Sequence, residues 1–236
     1  MNIFKQHQFY PPEEIERRAN DLLAQMQVTP KYAPTLPLDA SRVADFLDLA
    51  VVWDKIPADD KGLIAARILP LERLIEINED IPQLVKDYEG FAASTIAHEI
   101  GHWMLHIKPD EVDRFLKLRE QGIKPNIQPF LCRSANDQKR NDSIEWQAQY
   151  FASCLLMPKH ILEAQRVGRD LTSWRDLYAM KDELGVTISN LTNRLQNLRW
   201  IHIPSGSKQI YLGKAAPSRD IGTNGYSDSD RLLQTT

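Results

Sequence analysis

Cysteine is almost missing from this chain. Its 236 residues include only two, Cys132 and Cys154. Two cysteines cannot build a disulfide framework, so the fold must rest on a buried core, and a reducing compartment is the expected setting. Long apolar runs are missing as well. No stretch approaches the roughly 18 consecutive apolar residues of a membrane span. The opening "MNIFKQHQFYPPEE" shows no basic region followed by an apolar one, as a secretory leader would. The expectation is a cytoplasmic protein with no membrane partner. An excess of charge of one sign is also lacking. A net charge of −3 and a pI near 6.1 argue against a globally basic nucleic-acid binder.

What is present is 42% apolar sequence, enough to bury a core in one domain or in one plus an appendage. "PPEEIERRANDLLAQMQ" places prolines and acids before Ile15, Ala19, Leu22, Leu23 and Met26, which predicts a helix with favourable N-terminal charge. A proline-rich loop follows, then a short helix capped by Asp39 or Ser41. "VVWDKI", "GLIAARIL" and "RLIEIN" have strand character; in the last, Ile75 and Ile77 face one way and Glu76 and Asn78 the other. A polar insert spans 108–141, and helices follow to about residue 200.

The chemistry is concentrated in "TIAHEIGHWMLH", residues 95–106. Ala93, Ile96, Ile100, Trp103 and Ile107 recur at helical spacing, so 91–107 reads as a helix. Residues four apart share a helix face at about 5–6 Å. His98 and His102 can therefore aim at one ion, and Zn²⁺ takes imidazole nitrogens at about 2.0–2.1 Å. Glu99 lies about 100° around the helix from His98. That is wrong for a third ligand and right for a general base acting on water beside the metal, as in the His-Glu-x-x-His motif. Gly101 costs about 1 kcal/mol relative to Ala in a helix interior, which is tolerable where a crossing helix must come close. His106 extends the histidine face by one turn. Three consecutive turns aim along a line, so its expected role is an outer one or none. The bland alternative is a pair of histidines on a solvated helix face.

A catalytic zinc site needs a third protein ligand and one position open to water. Glu145, in the first turn of "SIEWQAQYFASCLLMP", is the candidate, with small Ala148 and Ala152 continuing its face. Gln149, one turn on, can accept the second ring N–H of a zinc-bound histidine. The competing reading gives Glu145 only a helix-capping role with Asp142.

Together, "RLIEIN", "TIAHEIGHWMLH" and "IEWQAQYFASCLLMP" resemble the ImmA/IrrE family of metallo-endopeptidases over about residues 75–203. The resemblance implies an α+β, zincin-like fold, here a small three-stranded sheet packed on helices. It also implies Zn²⁺ as cofactor, His98, His102 and Glu145 as metal ligands, and Glu99 as general base. Gln149 stands where the family usually has Asn. Family members cleave a cognate helix-turn-helix repressor, switching on mobile-element genes or a stress response, so such a repressor is the implied protein partner. An extended substrate is expected to add to the "RLIEIN" strand. The oxyanion donor that peptide cleavage requires is open among Tyr150, His160, Tyr178 and His202, with Tyr150 slightly preferred for its place on the ligand helix.

"LYAMKDELGVTISNLTNRLQNLRWI" has a helix-turn-helix cadence, with Gly185 ending one helix and Thr187 capping the next. The second helix carries Arg194 and Arg199, so direct nucleic-acid contact is the lesser reading for it. The expected division is a zincin-like peptidase domain over 1–168, a helix-turn-helix-like segment over 169–203, and a hairpin with a loose tail over 204–236. The rival to the endopeptidase is a DNA-binding or antitoxin-like module whose zinc is structural.

Overall fold

A computed structural model describes residues 3–5, 8–60, 62–81, 88–122, 130–133 and 144–214. The tail expected beyond the hairpin, from residue 215, lies outside the described residues, as does Asp142. Helix α1 (Pro12–Gln27) begins as its sequence dictates, with proline in the first turn followed by Glu13 and Glu14. It buries Ile15, Ala19, Leu22 and Met26. Helix α2 (Ala40–Phe46) is capped by Asp39, whose carboxylate accepts from the Ser41 amide at 2.9 Å.

Strands β1 (Ala50–Asp54), β2 (Ile64–Leu69) and β3 (Leu74–Asn78) form where alternating apolar residues predict them. A fourth, β4 (Phe130–Arg133), comes from the insert read as merely polar, so the sheet has four strands rather than three, in the order β1-β3-β2-β4. β3 pairs in parallel with β1 and antiparallel with β2, and β2 pairs antiparallel with β4. Arg67 on β2 faces Glu76 on β3 in register and forms an ion pair with it. Two expectations change here. β3 is an interior strand, both of whose edges are taken, so an added substrate strand cannot pair with it. Asn78 is buried, not on an open face: its amide donates to the carbonyls of Ile56 and Ile64 at 2.9 and 2.8 Å.

Beneath the sheet lies α3 (Tyr88–His106), which touches β2 and β3 on one side and α2 on another. Ile96, Ile100 and Trp103 form its buried apolar stripe, but Ala97, His98, Glu99, His102 and His106 are buried as well. A helix covered on nearly every side sits in the middle of its fold. Helix α4 (Pro109–Glu120) follows. Helix α5 (Ile144–Leu156) packs along α3, and α1 packs on α5. After α6 (Lys159–Gln165) come α7 (Trp174–Leu184) and α8 (Ile188–Asn197). Gly185, at φ 63°, ends α7, and the Thr187 hydroxyl caps α8 by accepting from the Asn190 amide at 3.1 Å. A short hairpin of β5 (Ile201–His202) and β6 (Tyr211–Leu212) completes the described chain. One hydrophobic cluster holds Leu22 from α1, Ile100 from α3, Phe151 from α5, Met180 from α7 and Leu195 from α8.

Candidate metal centre

The site forms where α3 and α5 cross. A Cβ added at Gly101 would lie 2.8 Å from the Ala148 carbonyl oxygen and 2.9 Å from its Cα. The two backbones meet at a contact that only glycine permits. This fixes the distance between the histidine face of α3 and the first turn of α5. His98 and His102 turn toward Glu145 across that gap. His98 Nε2 is 3.2 Å from Glu145 Oε2, and His102 Nε2 is 3.5 Å from Glu145 Oε1. The two Nε2 atoms are 3.0 Å apart. Among the described residues, these three side chains form a group able to hold a metal ion.

The donor set fits such an ion. Four ligands at about 2.05 Å in a tetrahedron stand about 3.3 Å from one another. The separation of the two imidazole nitrogens and the distance from each to its own carboxylate oxygen lie near that value, and one donor atom from each residue lies within 4.8 Å of the other two. The histidines are 4% and 0% exposed, so the alternative of a solvated helix face does not describe them. The Glu145 side chain is 31% exposed, which leaves the group open toward solvent on the carboxylate side.

Burial decides the charge states. It lowers the pKa of His102; Glu145 opposes that shift and His98 adds to it. Burial likewise takes His106 down to about 3, helped by neighbouring His102. Both imidazoles are therefore neutral at pH 7, the form that binds metals. Burial alone would raise the Glu145 carboxyl, but hydrogen bonds from His102 and His98 outweigh it and hold its pKa well below the usual carboxylate range. Glu145 is thus an anion facing the two ring nitrogens.

Glu99 follows His98 on α3 and is fully buried. Gln149 places Oε1 3.4 Å from His98 Nδ1. Tyr150 does not join the group. Five residues after Glu145, it points about 140° away around the helix. There it stacks on Trp146, with ring centroids 5.1 Å apart, and lies beneath the Arg194 guanidinium. Burial, then Cys154, pushes its hydroxyl pKa up to about 12. His160, Tyr178 and His202 are exposed, on α6, α7 and β5. His106, for which an outer role or none was expected, lies outside the group: its Nδ1 is 3.1 Å from His102 Nδ1. Residues 3–5 were given no role, yet they clasp the end of α3. Phe4 bridges Ile107, the Lys5 amide donates to the His106 carbonyl at 2.8 Å, and Lys5 Nζ donates to the Met104 carbonyl at 2.9 Å. No local pattern in "IFK" signals this pairing.

A helix with two histidines, a facing glutamate from a second helix and a small sheet above them make up a zincin-like α+β arrangement. Residues 89–196 match the model of the peptidase family described as the IrrE N-terminal-like domain, so the resemblance read from the sequence is borne out there. A solved structure described as a Mycobacterium tuberculosis transcriptional regulator is similar at 17% identity and a TM-score of 0.43, over 80% of this chain and 53% of that one. The chain thus spans about half the length of that relative. No curated protein matches the chain. Among the described residues, no helix is long and apolar enough to cross a membrane.

Proposed function

We propose that this chain is a zinc-dependent endopeptidase that cuts a cognate helix-turn-helix transcriptional repressor at a specific site. One observation carries the reading: two imidazoles and a carboxylate are grouped within reach of one ion, with a buried carboxylate next to one of them in sequence. A structural zinc site usually closes four protein ligands around the ion. Among the described residues three are grouped, which supports a catalytic site with one corner for water.

His98, His102 and Glu145 would hold Zn²⁺. When bound, the ion lowers the pKa of water and polarises the scissile carbonyl. Glu99 acts as general base: it takes a proton from the attacking water and returns it to the leaving amine. Burying a carboxylate is costly, and a catalytic role gives a reason to retain one there. Gln149 accepts from His98 Nδ1 and fixes the ring. A substrate held by strand addition has β1 or β4 available, the edges of the sheet among the described residues. A cytoplasmic location suits such a substrate.

The nucleic-acid reading of α8 loses support from its own arginine. Arg194 is fully buried, and its guanidinium pairs with Glu16 at 2.6 Å. Asn190, near the start of α8, hydrogen-bonds Ser94 of α3. Those two positions serve packing.

The test mixes the zinc-loaded protein with the repressor encoded beside it. Wild type should cut the repressor at one site, and Glu99→Gln should slow cleavage by about 10²–10⁴-fold. Equal cleavage by both would remove Glu99 from its role. No cleavage by the metal-loaded wild type would refute the repressor as substrate.

A further inference from the structure

We propose that His106 is a positioning residue that accepts a hydrogen bond from His102 Nδ1–H and so aims His102 Nε2 at the metal. The inference rests on the metal reading above and adds a residue to it. The two Nδ1 atoms are 3.1 Å apart, and both rings are buried. The ring centroids are 5.2 Å apart and the planes tilt by 52°, so this is an edge contact between nitrogens and not a stack.

A proton between two facing Nδ1 atoms leaves one ring donating and the other accepting. The far side of His102 decides which. Its Nε2 is the atom turned to His98 and Glu145. Without metal that nitrogen can donate to Glu145; once it ligates a metal it carries no proton, so in the loaded protein the ring proton of neutral His102 sits on Nδ1. His102 then donates, His106 accepts, and the proton of His106 is on its own Nε2. The same contact keeps His106 from being a ligand, because it meets His102 on the side away from the metal group.

The arrangement gives both ligand histidines a neutral acceptor, Gln149 for His98 and His106 for His102. Outer partners of this kind fix the tautomer and orientation of a metal-bound imidazole. His106 is itself held in place. It ends α3, where its carbonyl accepts from the Lys5 amide and the Lys108 amide reaches the Ile3 carbonyl at 2.8 Å. Residues 3–5 thus anchor the acceptor of the second ligand.

The test measures zinc affinity by chelator competition on the full chain, for wild type, His106→Leu and His106→Asn. The side-chain oxygen of Asn can stand near the Nδ1 position and accept, whereas Leu fills space only. His106→Leu should weaken zinc binding by about 10–100-fold, and His106→Asn should restore most of it. Nitrogen-edited NMR of the zinc-loaded wild type should show His102 protonated at Nδ1. Unchanged affinity in both variants, equal loss in both, or a proton on His102 Nε2 would overturn the proposal. The NMR result decides even where a variant fails to fold. Wild type that binds zinc and cuts the repressor while the variants bind equally well refutes only this role of His106. Wild type that takes up no zinc refutes the metal reading too.

Discussion

Glu99 has no exposed surface. Its amide analogue replaces a buried carboxyl while keeping the shape, so Glu99→Gln should melt no lower than wild type and bind zinc equally well. A lower melting temperature, or lost zinc, would show Glu99 to be structural. Glu145 should behave oppositely. Because outer partners cost about 10–100-fold in affinity, loss of a ligand in Glu145→Gln should cost more than 100-fold; unchanged affinity in the same competition assay would contradict the site. Cys154 gives a pH prediction. Burial raises its thiol pKa to about 12, so the thiol stays protonated below that pH, and only the thiolate is nucleophilic. Peptide mapping should find Cys154 unalkylated by iodoacetamide at pH 8 in the native protein and labelled in denaturant. Rapid native labelling would contradict its burial. At this scale the sequence was legible wherever helix geometry alone decides. The shared face of His98 and His102 follows from 3.6 residues per turn. Tyr150 did not, because adjacency to Gln149 in the chain becomes another face on the helix, where distant Arg194 lies over it. The one-turn spacing leaves His106 an outer role or none, and it does not say which nitrogen of His102 the ring meets; the contact is to the far one, Nδ1.

Between elements, the α3–α5 crossing controls the centre. Gly101→Ala gains about 1 kcal/mol of helix propensity. It also drives a Cβ to within 2.8 Å of the Ala148 backbone, which cannot rotate away, and overpacking of this kind costs about 1–3 kcal/mol. The clash should prevail: chemical denaturation should show a less stable protein, and zinc affinity should fall as Glu145 is pushed from the histidines. A variant with raised stability and unchanged affinity would mean the crossing does not set the metal geometry. Gly101 and Ala148 were readable because both are small residues where large ones would be ordinary. Strands β1, β2 and β3 were readable from alternation. Their order was not, since pairing β3 between β1 and β2 is a long-range choice that no local pattern encodes. β4 stayed hidden because a four-residue strand inside a polar insert is too short to show a period.

Across the whole molecule, the expected boundary after residue 168 cuts through shared core. Leu177, Met180, Leu184, Leu191 and Leu195 all lie beyond it and are buried in the cluster that holds α1, α3 and α5. At about 1.5–3 kcal/mol for each buried side chain, their loss is comparable to the whole stability of an ordinary domain. A chain ending at residue 168 should therefore show no cooperative unfolding transition; a sharp one would make the peptidase part autonomous. Arg194 ties α8 to α1 through Glu16, a pairing across 178 positions that the sequence could not announce. The central claim is that two helices present His98, His102 and Glu145 to one ion. Anomalous diffraction at the zinc edge from zinc-loaded crystals tests it most directly. The account predicts one zinc within about 2.0–2.2 Å of His98 Nε2, His102 Nε2 and a Glu145 carboxylate oxygen, with a water as fourth ligand. Zinc bound elsewhere, or closed in by a fourth side chain, would contradict it.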